Sequence, residues 1–286
     1  MSDATAEYLR HRDLVVRLAY DITGSWADAE DVAQQVFLRW PPEGEVRNPR
    51  AYLARMATNR ALDVVEARAR VDYVGPWLPE PVATGPGADD ALVSADEVEI
   101  ALMVVLGTLS PLERAVFLLH DVFAFTHAEI AVMLDRSPDA VRQLASRARR
   151  HVEARRPEPE PVDPAQLSAL TGQFLVAARE GDVAGLQAFL TDDVVFVGDG
   201  GGKRSATMRP VVGPEKVARF FVGVARAVDE RTRIVPVEAN RRLALAIYQG
   251  DELDQVLWLV LRDGRIAQAL AVRNPDKLTR LVRPAT

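Results

Sequence analysis

The 286 residues contain no cysteine, which excludes a disulfide framework and any thiolate metal site, so packing alone must hold the fold. Histidine is scarce: His11, His120, His127 and His151 are the only four, and the C-terminal part of the chain has none. Any proton transfer near pH 7 there would fall to Asp or Glu with a shifted pKa. No stretch reaches the roughly 18 uncharged apolar residues of a membrane span, and the start, MSDATAEYLRHRD, lacks an apolar targeting core. A cytoplasmic location without a membrane partner is expected. From Val71 to Glu113 there is not one Lys or Arg, although Asp72, Glu80, Asp89, Asp90, Asp96, Glu97, Glu99 and Glu113 fall inside it. The formal net charge of −6 excludes a protein that coats nucleic acid indiscriminately, since such binding rests on an excess of cations. Any DNA contact must be local and helped by a partner.

What is present is enough for two or three compact domains, with 48% hydrophobic and 27% charged residues. The apolar period of 3.6 predicts helices near 4–23, 26–40 and 49–70. Ser25 caps the second, with Asp28 at the capping-box position, and Asn48 followed by Pro49 opens the third. VGPWLPEPVATGPGADD is too rich in Pro and Gly to be helical and reads as an acidic, extended linker. Helical pattern resumes from Asp96 to about Arg156, where PEPEPVDP forms a stiff spacer. Beyond Pro164 come two helices (164–180 and 182–190) and strand-like runs VVFV, RSATM, RIVPVEA, LALAIYQ, QVLWLVLR and IAQALAVR, with a helix at 213–227. Asp263-Gly264 is a hairpin signal. The divisions that follow are 1–72, a linker 73–95, 96–156, a spacer 157–164, and an α+β domain with a curved antiparallel sheet at 165–286.

The stretch LSPLERAVFLLHDVFAFTHAEIAVMLDRSPDAVRQLASRARR carries the most information. Thr126 and Glu129 form a capping box that opens a short helix with Ile130, Ala131 and Leu134 inward. After a turn at Asp135 and Arg136, Ser137 caps and Pro138 starts a longer helix with Val141, Leu144, Ala145 and Ala148 in one apolar stripe. Its other face presents Arg142, Gln143, Ser146, Arg147, Arg149 and Arg150. That is the form of a helix-turn-helix recognition helix, with Arg142 and Gln143 placed to read base edges and Arg147 and Arg150 to hold phosphates. An arginine-rich helix alone is as often a solvated face; the capped helix before it favours DNA.

GSWADAEDVAQQVFLRW with NPRAYLARMATNRALD resembles region 2 of the extracytoplasmic-function sigma factors of RNA polymerase, and the helix-turn-helix stretch resembles their region 4. The resemblance covers about residues 5–155 and implies two all-α domains that bind core RNA polymerase and promoter DNA. It implies polymerase docking through Asp28, Asp31, Gln34 and Arg39. It also implies minus-ten recognition and melting through Arg47, Asn48, Arg50, Arg55, Asn59 and Arg60, with Trp40 and Tyr52 as aromatic surfaces. Many relatives have Trp where Tyr52 stands. The lysine-free linker would then occupy the cationic RNA path of the polymerase, with Asp89 the position to crosslink.

Residues 165–286 resemble the SnoaL-like fold, a cone of helices on a curved sheet around a pocket, which by itself does not assign a function. Three motifs fit a subgroup of these sigma factors with such a fused domain. They are WLPEP (Trp77, Leu78, Pro79, Glu80, Pro81), DGGGK (Asp199, Gly200, Gly201, Gly202, Lys203) and NPDKL (Asn274, Pro275, Asp276, Lys277, Leu278). The resemblance implies that the linker motif docks on the C-terminal domain near Asp199, Lys203, Asn274 and Asp276, and so restrains the DNA-binding units in cis. No catalytic activity, cofactor or metal is expected, a small ligand in the C-terminal pocket stays open, and the free chain is expected to be a monomer. The alternatives are an enzymatic or ligand-sensing SnoaL-like domain on a DNA-binding module, and a repressor acting without polymerase.

Overall fold

The computed structural model describes residues 3–41, 46–84, 98–155 and 164–281. The chain forms two compact units, Met1–Asp72 with Gly87–Arg156 and Tyr73–Pro86 with Pro157–Thr286. Asp89, Asp90, Asp96 and Glu97 of the acidic linker lie outside the described residues, as does most of the Pro-rich spacer.

The first unit begins with α1 (Asp3–Thr23), α2 (Trp26–Arg39) and α3 (Pro49–Arg68), packed on one another through residues such as Leu18, Ile22, Val32, Val36, Leu53 and Ala57, none of them exposed. The caps are local and were readable. Ser25 Oγ accepts from the Asp28 amide at 3.3 Å, and Asn48 Oδ1 from the Ala51 amide at 3.1 Å. Then follow α4 (Ile100–Leu106), α5 (Pro111–Phe117), a π-helical turn (Leu118–Val122), α6 (His127–Met133) and α7 (Pro138–Glu153). Both α5 and α6 open on complete capping boxes, Ser110 with Glu113 and Thr126 with Glu129. The two helical groups pack together within this unit. The Arg114 guanidinium donates to the Leu106 carbonyl at 3.0 Å and to the Ile22 carbonyl at 2.8 Å.

In the second unit α8 (Pro164–Glu180) and α9 (Val183–Ala188) precede β1 (Leu190–Asp199), β2 (Val211–Val212) and α10 (Pro214–Ala225). Four long strands follow: β3 (Thr232–Ala239), β4 (Arg242–Gln249), β5 (Glu252–Arg262) and β6 (Arg265–Val272). A 3₁₀ turn at Pro275–Lys277 comes after them. The sheet order is β2-β1-β6-β5-β4-β3, antiparallel throughout except that β1 runs parallel to β6. Helices α8 and α10 cover one face, where Phe174, Val217, Leu245 and Leu257 share a core. Asp263 and Gly264 take φ of 53° and 70°, the left-handed pair a two-residue hairpin needs. Asn240 and Arg241 do the same between β3 and β4, at 49° and 57°.

One expected strand is absent. RSATM alternates polar and apolar residues, yet the chain turns at Gly200, where the amides of Lys203 and Arg204 both return to the Gly200 carbonyl. The segment then runs outside the sheet, and the Ser205 carbonyl takes its hydrogen bond from Arg273 Nη1 at 2.7 Å rather than from a ladder.

Residues 73–84 of the linker belong to this second unit. The amide of Thr84 donates to the Glu238 carbonyl at 3.1 Å, that of Asn240 to the Val82 carbonyl at 2.9 Å, and Ala83 forms an antiparallel bridge with Ala239. The linker thus caps part of β3, which ends the sheet order and would otherwise present unpaired backbone groups.

Candidate functional site: a nucleic-acid interface and a clasped linker

On α7 the caps and burial sort the side chains cleanly. Ser137 Oγ accepts from the Ala140 amide, and Val141, Leu144, Ala145 and Ala148 are buried. Ser137, Arg142, Gln143, Ser146, Arg147 and Arg150 are all exposed. Arg142 pairs with Asp139, Arg147 with Glu113 at 3.1 Å, and Arg149 with Asp121 at 2.7 Å. Exposed pairs of this kind are worth only about 0–1 kcal/mol, so a phosphate can displace the carboxylates.

The region 2 candidates are less uniform. Arg47 and Arg55 are exposed, and Arg60 pairs with Asp63 at 3.1 Å. The Asn48 side chain is engaged as a helix cap. Arg50 donates to the Phe123 carbonyl at 2.6 Å with its guanidinium 4.1 Å from the Phe125 ring centre. Asn59 reaches the Met133 carbonyl at 3.5 Å. Two of the six residues thus hold backbone of the helix-turn-helix half of the same unit. Trp40 and Tyr52 meet edge to face, 5.8 Å between centres. On α2, Asp31, Gln34 and Arg39 are exposed, whereas Asp28 turns to Arg68. Sequence reasoning passed over Phe37 and Leu38 on this helix, which are 42% and 81% exposed. Their signal was available in QQVFLRW, where two large apolar residues follow Val36, itself already facing the core.

The linker motif and the other two motifs meet around one carboxylate. Asp199 is fully buried. Its Oδ1 accepts from the Tyr73 hydroxyl at 2.5 Å and the Gly201 amide at 3.1 Å, its Oδ2 from the Leu78 amide at 2.8 Å and Lys277 Nζ at 2.7 Å. Lys277 also donates to the Leu78 carbonyl at 2.6 Å and lies 3.8 Å from the Trp77 ring centre. Asn274 donates to the Tyr73 hydroxyl at 3.0 Å. Further along, buried Asn240 holds the Glu80 carbonyl and the Val82 amide at 3.1 and 3.0 Å. Pro79, Glu80 and Pro81 are buried here, as is Leu278. Lys203 and Asp276 pair with each other at 2.5 Å on the surface. A Cβ on Gly201 would overlap the Asn274 amide, and one on Gly202 would crowd Val74. Leu78 at 2% exposed is a deep apolar anchor of the linker, and Trp77, only partly buried, lies over the lysine. Tyr73 and Asn240 went unnoticed in the sequence, because neither stands in a local pattern.

Comparison with known proteins identifies both helical groups. The Sigma-70 region 2 family matches residues 8–71 and the Sigma-70, region 4 family residues 99–152. The ECF RNA polymerase sigma factor SigJ of Mycobacterium tuberculosis is 36% identical over 96% of this chain and 93% of its own. The chain belongs to the extracytoplasmic-function sigma factors. A probable ECF sigma factor SigI of M. tuberculosis is 30% identical over 96% of this chain and 94% of its own. The crystal structure of M. tuberculosis SigJ matches with a TM-score of 0.74 at 35% identity, covering 96% of this sigma factor and 97% of that chain. The sigma factor is therefore a promoter-recognition protein with a fused C-terminal α+β domain. Among its described residues no helix is long and apolar enough to cross a membrane.

The clasp should make this sigma factor's C-terminal unit sensitive to alkali. Burial, then the hydrogen bond to Asp199, pushes the Tyr73 phenol well above its ordinary value. Because an acid whose pKa is raised on folding is favoured in its protonated form, the stabilisation is full below about pH 10 and declines above it. Thermal melts at pH 9 and pH 11 should differ more for the native chain than for Tyr73→Phe; equal differences would remove the assignment.

Proposed function

We propose that this sigma factor joins core RNA polymerase through the exposed face of α2, with Asp31, Gln34 and Arg39 flanking the apolar Phe37 and Leu38. In this reading α7 reads the minus-thirty-five element, with Arg142 and Gln143 on base edges and Arg147 and Arg150 on phosphates. Arg47, Arg55 and the Trp40–Tyr52 pair, joined by Arg50 and Asn59, capture the opened minus-ten strand. Arg50 and Asn59 are engaged with helix-turn-helix carbonyls in the described arrangement, so capture requires the two helical groups to part. Docking of the linker on the C-terminal unit restrains that parting in cis. The chain acts as a dissociable, non-catalytic subunit and is a monomer when free.

The observation that carries the reading is the row of exposed Arg142, Gln143, Ser146, Arg147 and Arg150 above a buried apolar stripe on α7. Run-off transcription by the whole chain with core polymerase tests it, and no initiation on any template from a promoter library would overturn it. Arg147→Ala and Arg150→Ala should each weaken promoter binding across sequences and reduce the slope of log affinity against log salt by about one. Arg142→Ala should instead relax the preference at one base pair, at a cost of about 1–3 kcal/mol.

A further inference from the structure

The C-terminal unit encloses a cavity of about 350 Å³ that none of these roles uses. That volume is at the lower end of small-molecule sites, and equals the space of roughly a dozen waters. Its wall is mostly aromatic and aliphatic, including Phe174, Phe196, Phe220, Phe221, Leu245 and Leu257. Phe174 and Phe221 meet edge to face at 4.9 Å, and Phe196 and Phe220 are 4.3 Å apart, so the wall is built from interlocked rings.

The polar part of the lining gathers toward one end of the sheet. Arg273 Nη2 holds Asp254 at 2.8 Å and Nη1 holds the Ser205 carbonyl. Its Nε is buried with no partner, as is the hydroxyl of Thr207, and on α8 that of Thr171. A buried donor without a partner is unfavourable, so a ligand that offers an acceptor there gains what the protein leaves unmade. The charge at this end is already balanced, Arg273 against Asp254, which disfavours a second carboxylate.

The same strand ends carry the linker. Gly198 and Ala271 line the cavity, while the next residue of β1, Asp199, holds Tyr73 and Leu78 on the other side. The loop 200–207 lies between: Thr207 lines the cavity, its carbonyl approaches Gly75, and Gly202 abuts Val74.

We infer that the cavity binds a small, neutral, largely apolar molecule carrying one hydrogen-bond acceptor, a ketone, ester or similar carbonyl, and that its occupancy alters the docking of the linker. The second half rests on the reading of the docked linker as a restraint in cis. Three probes on one diphenyl frame separate the possibilities in calorimetry on the full chain: benzophenone, diphenylmethane without the carbonyl, and diphenylacetate with a negative charge. Benzophenone should bind about tenfold more tightly than either of the others. Thr207→Val, which keeps the shape and removes the hydroxyl, should erase most of that preference without lowering the melting temperature. Hydrogen exchange at the Leu78 amide should change by about fivefold or more on benzophenone binding. No binding of benzophenone, tighter binding of the carboxylate, or binding that leaves Leu78 exchange unchanged overturns the inference. Failure of the cis restraint is scored separately, by run-off transcription that Leu78→Ala does not alter.

Discussion

Asp199→Ala is expected to destabilise the C-terminal unit by about 3–5 kcal/mol, a fall in melting temperature on the order of 10 °C. The carboxylate has four donors on its two oxygens and no exposure to solvent. Its partner Lys277 has a side chain only 8% exposed. Removing the acid leaves an ammonium buried without its counter-ion, and frees the Tyr73 hydroxyl and the Leu78 amide at once. Replacing both charges, Asp199→Ala with Lys277→Met, should cost less than the single change, because no uncompensated charge then remains. Urea unfolding of the four proteins in the cycle measures this. A single variant within about 1 kcal/mol of the native chain would show that the pair does not hold the clasp.

Leu78→Ala is the second large effect. A fully buried leucine cut to alanine typically loses about 2–5 kcal/mol, through lost burial and the cavity left behind. Here the loss falls on the contact that fixes the linker rather than on the sheet. The expected result is therefore release of residues 73–84 from an otherwise folded unit, with run-off transcription raised by about fivefold or more. Trp77→Ala should have a smaller effect, since its ring is only partly buried where Leu78 is buried throughout, and one contact it gives up is the cation–π contact to Lys277. A larger effect at Trp77 than at Leu78 would move the principal anchor of the linker from the leucine to the ring.

Much of the architecture was legible because its causes are local. Ser25, Asn48, Thr126 and Ser137 each cap the helix that their spacing announces, and Asp263-Gly264 turns the last hairpin. The apolar stripe of α7 faces inward as its period required, which puts the arginines outward. The parts that escaped are long-range. The contacts of Arg50 with Phe123 and of Asn59 with Met133 span 73 and 74 residues, and nothing beside either residue signals a backbone carbonyl so distant. RSATM misled because alternation alone cannot tell a strand from a segment thrown out of the sheet by the glycines before it. Asn240 and Arg241 form a hairpin turn without the glycine that usually marks one. The three motifs pointed to a common place, yet the burial of Lys277 beside Asp199 depends on β1 and β6 ending together, which only the parallel pairing provides.

The glycines after Asp199 offer a way of sorting relatives without an experiment. At Gly201 the backbone has φ of 56°, and any side chain would collide with Asn274 and crowd the Tyr73 hydroxyl. A fused sigma factor with a bulkier residue at this position must shift Asn274, and with it the Tyr73 hydroxyl, to keep the tether held in the same way. The identity of one residue thereby becomes a marker of whether a chain can grip its tether through this same set of contacts.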